Sequence, residues 1–155
     1  MVLLSAWITG VPDVKNHSRE VTDMAELFSE EWMKAFMEEW NKDTELTADL
    51  AKIGFNSVIA YGFDGENDPR GILTVENGKA TSAGGYARQE LNWDLRASPD
   101  NWAKWMKKGI GMTGLGLAYT SRKLKFKKGD YMAMIKDPRM AGPFIKSFTV
   151  MGRVS

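Results

Sequence analysis

Gly109, Ile110, Gly111, Met112, Thr113 and Gly114 match the spacing G-x-G-x-x-G. In a dinucleotide site such glycines let backbone amides approach a pyrophosphate at a helix N-terminus. That chemistry needs a strand directly before the glycines, within a βαβ unit. Here residues 98–108 precede them, and these read as a helix: Ser98 as cap, Pro99 in first position, Asp100 in the first turn. The glycines then let two helices come close, or let backbone approach a bulky ligand. Paired acids stand at Glu30-Glu31 and Glu38-Glu39, but on the polar side of a helix, where they form a solvent face rather than converge for proton transfer. Asp64, Glu66 and Asp68 alternate before Pro69 like a fragment of a calcium loop, without the later glutamate or the full spacing.

The chain has no cysteine and one histidine, His17, in a polar stretch. Disulfides, thiolate ligands, cysteine nucleophiles, multi-histidine metal sites and a serine–histidine pair are therefore excluded. Tyr61, Tyr86 and Tyr119 are candidates for proton transfer by residue type alone. No catalytic residue, metal ligand or cofactor site is expected, and the protein is read as a non-enzyme.

What the residues offer instead is apolar surface. Trp32, Met33, Phe36, Met37 and Trp40 recur on one side of a helix, with acids and lysines opposite. Ten methionines and six tryptophans are unusual for 155 residues. Methionine is flexible and polarisable and adapts to irregular partners. Such a face either caps an ordinary core or roofs a cavity for an apolar guest. Lys plus Arg is 21 and Asp plus Glu 20, so no global attraction to nucleic acid is expected. A basic run, Arg122, Lys123, Lys125, Lys127 and Lys128, reads as a solvated edge strand or as a surface for anionic headgroups, an acyl-CoA phosphate or a partner protein. No apolar run approaches the roughly 20 residues of a membrane helix. The opening residues lack a basic n-region, so a cytoplasmic protein is expected.

The elements that must position this surface follow from periodicity. Residues 1–21 form an N-terminal extension with a strand at 3–8, and 22–155 one domain. A helix capped by Asp23 or Ser29 runs to about Asn41; Thr44 caps a second, ended by Gly54. Strands are expected at 55–63, 71–76, 79–86 and 90–97, with an Asn77-Gly78 hairpin and a bulge at Gly84-Gly85. Helices at 98–108 and 112–121, a strand around Leu124 and Phe126, and a helix over 130–136 showing Met132 and Ile135 complete the order; 140–148 is a last helix or an apolar tail. Segregated strands and helices make the fold α+β.

Residues 29–43, the 71–79 strand with its Asn-Gly turn, Trp93–Ala97 leading into Ser98-Pro99-Asp100-Asn101-Trp102, and Leu124–Asp130 ending in Gly-Asp occur in an order that resembles sterol carrier protein 2-like domains over residues 24–148. The resemblance implies a five-stranded, mostly antiparallel twisted sheet with helices over one face, enclosing an apolar tunnel for a sterol, fatty acid or acyl-CoA. It transfers no catalytic residues. The chain departs from the pattern in its N-terminal extension, in Gly84-Gly85 and in its tryptophan content. The expected lining is Trp32, Phe36, Trp40, Trp93, Trp102, Trp105, Met106, Met112, Leu115 and Met132, drawn from inward faces of separate elements. The expected role is non-catalytic lipid binding and transport. The alternative is an accessory subunit docking an enzyme of lipid, steroid or hydrocarbon metabolism. Expected partners are the apolar ligand, a partner enzyme under that alternative, and at most transient membrane contact through the basic run. The chain would be a monomer or homodimer.

Overall fold

The computed structural model describes residues 25–154. The expectations for the 1–21 extension, the 3–8 strand, His17 and an Asp23 cap lie outside the described residues. Helix α1 (Glu30–Lys42) starts where the Ser29 hydroxyl accepts from the Trp32 N–H at 3.2 Å, with Glu30 and Glu31 in its first turn. It buries Trp32, Met33, Phe36 and Trp40. Asp43 ends α1 and caps α2 (Thr44–Lys52) through the Leu46 N–H at 2.9 Å. The cap is thus Asp43 and not Thr44, because a carboxylate serves both the junction and a later ion pair.

Strands β1 (Ser57–Phe63), β2 (Gly71–Glu76) and β3 (Lys79–Gly85) form the expected meander, and Asn77 (φ 48°) and Gly78 (φ 88°) supply its left-handed turn. β4 (Trp93–Ala97) lies parallel to β1, and β5 (Lys125–Lys128) pairs with β4 antiparallel. The sheet order is β3-β2-β1-β4-β5, with β1 central, so the sheet is mixed with one parallel pairing. The β3 bulge falls at Thr81, where the register slips between Thr74 and Val75; Gly84 and Gly85 stay paired with Ile72 and Gly71. Leu91 lies outside the strand ladder.

Period two sends Ile59, Tyr61, Phe63, Leu73, Leu95, Ala97 and Phe126 to the helix-covered face. The opposite face carries Ala60, Ile72, Asp94 and Arg96. Arg96 is 2% exposed; it forks onto Asp94 at 2.6 and 3.0 Å and donates to the Glu66 carbonyl at 2.6 Å, pinning the loop after β1.

Helix α3 (Pro99–Lys108) is capped by Ser98 through the Asn101 N–H at 3.1 Å and ends at Gly109. Helix α4 (Met112–Thr120) carries no charge and buries Leu115 and Ala118. Gly129, at φ 107°, is required twice over: a Cβ there would enter the Trp93 indole, and the backbone is left-handed. Asp130 then caps α5 (Tyr131–Lys136) through the Ala133 N–H. That cap sets the phase of α5, so Tyr131 and Met134 point inward while Met132 is 51% exposed, against the expected Met132 and Ile135 face. Helix α6 (Pro138–Met151), capped by Asp137, continues through Pro143 and extends past the expected 140–148.

The helices and sheet meet in an aromatic network. Phe28 stacks on Tyr61 and meets Trp32 and Trp102 edge-on at 5.4 and 5.1 Å, while Trp102 stacks on Phe148. Phe28 adopts φ 65°, a left-handed conformation costing a bulky residue about 1 kcal/mol or more. It is 1% exposed, and ring burial outweighs that cost.

Candidate functional site

The interior narrows to an apolar pocket of about 40 Å³ between the sheet and the C-terminal helices. Ile59 and Tyr61 of β1 with Trp93 and Leu95 of β4 form its floor, and Trp40, Leu50 and Phe55 its side. Met134 of α5 with Met140, Pro143, Phe144 and Ser147 of α6 form its roof. The roof is the softest part of the wall. Its methionines have three rotatable bonds each. Pro143 has no N–H to give the Arg139 carbonyl, and Gly142 before it is exposed with open space around it, so α6 is weakest beside the pocket. The far half of α6 is clamped: Arg153 and Lys146 reach Asp43 at 2.9 and 3.7 Å. Burial alone would raise the Asp43 pKa, but the Leu46 N–H, Arg153 and Lys146 outweigh it and hold it below the usual carboxylate value.

Two hydroxyl-bearing residues line the pocket. The Ser147 hydroxyl donates to the Phe144 carbonyl. The Tyr61 side chain is 3% exposed, and its hydroxyl makes no hydrogen bond with any described residue. Burial drives its pKa far above the ordinary tyrosine value. Tyr61 is thus a neutral, buried O–H donor on a residue that lines an apolar space, the kind of group that orients one polar atom of an otherwise apolar guest.

Of the lining residues expected from sequence, Trp40 and Trp93 border the pocket. Both indoles are fixed from behind: Trp40 donates to the Gly78 carbonyl at 3.0 Å and Trp93 to the Ser57 hydroxyl at 3.3 Å. Trp32, Phe36, Trp102 and Trp105 belong to the packed aromatic network, with Trp102 donating to the Gly62 carbonyl at 2.9 Å. Leu115 is buried away from the pocket and Met106 is partly buried. Met112 and Met132, expected inside, are each 51% exposed: the inward positions of α4 are Leu115 and Ala118, and those of α5, capped by Asp130, are Tyr131 and Met134. Sequence reading passed over Leu50, Phe55, Ile59, Leu95, Met134, Met140, Pro143, Phe144 and Ser147. Alternation was the signal available for the floor: it puts Ile59 with Tyr61 in β1, and Trp93 with Leu95 in β4, on one face. Among the described residues no cluster of His, Asp or Glu could hold a metal ion.

A mixed five-stranded sheet with this strand order, roofed by helices on one side, is the sterol carrier protein 2 fold. The chain superposes on the crystal structure of sterol carrier protein 2 with a TM-score of 0.64, covering 84% of this chain and 100% of that one at 18% identity. It superposes on the solution structure of a conserved hypothetical protein from Thermus thermophilus, described as possibly a sterol carrier protein, with a TM-score of 0.60, covering 84% and 90% at 17% identity. No family model and no curated protein sequence matches the chain.

Proposed function

We propose that the protein binds and carries an apolar small molecule of the sterol, fatty acid or acyl-CoA kind without transforming it, by opening the pocket beneath α5 and the first half of α6. The observation that carries this reading is Tyr61: a buried hydroxyl with no described partner, on a residue lining an apolar pocket whose roof is methionine-rich and broken by Pro143. Ligand sites commonly occupy about 300–1,000 Å³. A pocket of about 40 Å³ must therefore widen around its guest. Displacing Met134, Met140 and Phe144 outward, with the Gly142-Pro143 step as the pivot, would do so while the Asp43 clamp holds the end of α6. Burying each 100 Å² of apolar ligand surface returns about 2.5 kcal/mol, which offsets that opening. Tyr61 would then donate to the one polar atom that reaches the floor, a hydroxyl or carboxyl oxygen. The sterol carrier protein 2 fold supports the same reading.

The test is titration of the full chain with sterols, fatty acids and acyl-CoA, followed through the fluorescence of Trp40 and Trp93. Saturable change with a one-to-one end point, lost in Ser147→Trp, is expected; no response or thermal shift with any class would sink the reading. The narrowness of the pocket favours a second reading: an accessory subunit whose interior its own side chains fill, docked on an enzyme of lipid, steroid or hydrocarbon metabolism. That reading predicts a stable complex in pull-downs and an interior indifferent to lipid. Gel filtration as a tight monomer with no co-purifying protein would count against it.

A further inference from the structure

Between residues 101 and 129 the chain carries eight Lys and Arg and no Asp or Glu, although the whole chain balances 21 against 20. Helix α4 lies in the middle of that stretch. It has no charged side chain, yet Met112 is 51% and Leu117 65% exposed. Its outward face runs through Met112, Gly116, Thr120, Thr113 and Leu117, an uncharged surface with the two large apolar side chains at its edges. Leu117, Ala118 and Ile110 sit in a surface groove of about 300 Å³ between α3 and α4, and Lys104 and Lys123 share that groove. Lys107 and Lys108 fill the last turn of α3, and Arg122 and Lys123 follow α4 directly. Lys127 and Lys128 stand exposed on the edge strand β5. Among the described residues only Lys125 of these eight is ion-paired, with Asp64 at 3.0 Å. No helix of the described residues is long and apolar enough to cross a membrane.

We infer that α4 and its basic rim form a docking surface for an anionic lipid bilayer, with α4 lying among the headgroups and Met112 and Leu117 reaching the acyl boundary. The charge pattern selects the bilayer over an acidic protein. Seven of the eight cations are lysines, flexible point charges around an uncharged strip, which suits a diffuse anionic plane laid over hydrocarbon. Gly111 gives α4 no capping side chain, which leaves its first-turn amides for headgroup oxygens. The inference stands apart from the pocket and holds whether or not a ligand is carried there.

The experiment is co-sedimentation of the full chain with phosphatidylcholine vesicles, with and without phosphatidylglycerol, at low and high salt. Binding to the anionic vesicles alone, weakened by salt, is expected. Leu117→Glu should lower the partition by roughly tenfold or more. Each of Lys107→Gln, Lys108→Gln and Lys123→Gln should lower it by about fivefold. These side chains are exposed, so thermal melts should match the parent and separate a docking defect from a folding one. Three results would overturn the inference: no binding to anionic vesicles, binding unchanged in Leu117→Glu, or capture by soluble polyglutamate as strong as by vesicles.

Discussion

Replacing Tyr61 by phenylalanine should make the empty protein more stable and the loaded protein less so. The ring is held by Phe28 and by Phe36 edge-on at 5.7 Å, and those contacts survive the substitution. What is lost is a hydroxyl on a side chain that is 3% exposed and bonded to no described residue. A buried donor without a partner costs about 1–3 kcal/mol. The pocket offers a water little, since the other polar group on its wall, Ser147, already donates to the Phe144 carbonyl. Removing the hydroxyl should therefore stabilise the fold by about 1 kcal/mol, which for a domain of this size raises Tm by roughly 2–4 °C. The same substitution removes the donor at the floor that has no partner among the described residues. A ligand with a hydroxyl or carboxyl there should lose about 0.5–1.5 kcal/mol of binding, up to about tenfold in Kd. A plain hydrocarbon should lose nothing. Thermal melting and ligand titration on the two proteins read both halves. A lowered Tm would mean that the hydroxyl is bonded in solution. Equal affinity of both proteins for polar-headed ligands would show that Tyr61 does not recognise them.

Asp43 gives a pH prediction. Its folded pKa lies below the unfolded value of 3.8, so its contribution is complete above that value and drains away as pH falls through the lower, folded pKa. Asp43→Asn keeps a competent cap but no charge, so its deficit against the parent should be about 1 kcal/mol at neutral pH, Arg153 and Lys146 being partly exposed, and in thermal melts should start to shrink as pH falls below 3.8 and close once pH is below the folded pKa. Arg96→Ala would strand the Asp94 carboxylate, 8% exposed, and should cost about 3–5 kcal/mol by urea unfolding, whereas an exposed arginine such as Arg88 replaced by alanine should cost little. Gly129→Ala should lower Tm and alter the Trp93 fluorescence of the unliganded protein, since a methyl there meets the indole; an unchanged spectrum would contradict the packing.

The α+β order, the Asn77-Gly78 hairpin, the Ser98 cap and the apolar face of α1 were legible because each is a local rule: period, turn chemistry or capping. The parallel pairing of β1 with β4 was not, since it is set by a long connection and leaves no mark within either strand. The bulge was misplaced for a related reason. Glycines attract the expectation, but the slip at Thr81 answers to pairing with β2. The pocket was half legible. Its floor follows from alternation in β1 and β4, whereas its roof depends on how α5 and α6 are phased by Asp130 and Asp137, a matter of one residue. Large aromatics drew the sequence reading toward Trp32, Phe36, Trp102 and Trp105, which pack on one another. The pocket is bordered by Trp40 and Trp93 together with more modest residues such as Met134, Met140 and Ser147. Exposure of Met112 and Leu117 was hard to read from periodicity, because α4 has no charged residue to mark its outer side.

Native mass spectrometry of the gently purified full chain, with extraction and identification of whatever small molecule travels with it, tests the carrier role most directly. The account predicts one apolar molecule bearing a single polar end per chain, absent from Ser147→Trp purified in the same way. A bare chain that also stays bare after incubation with sterol, fatty acid and acyl-CoA would contradict it.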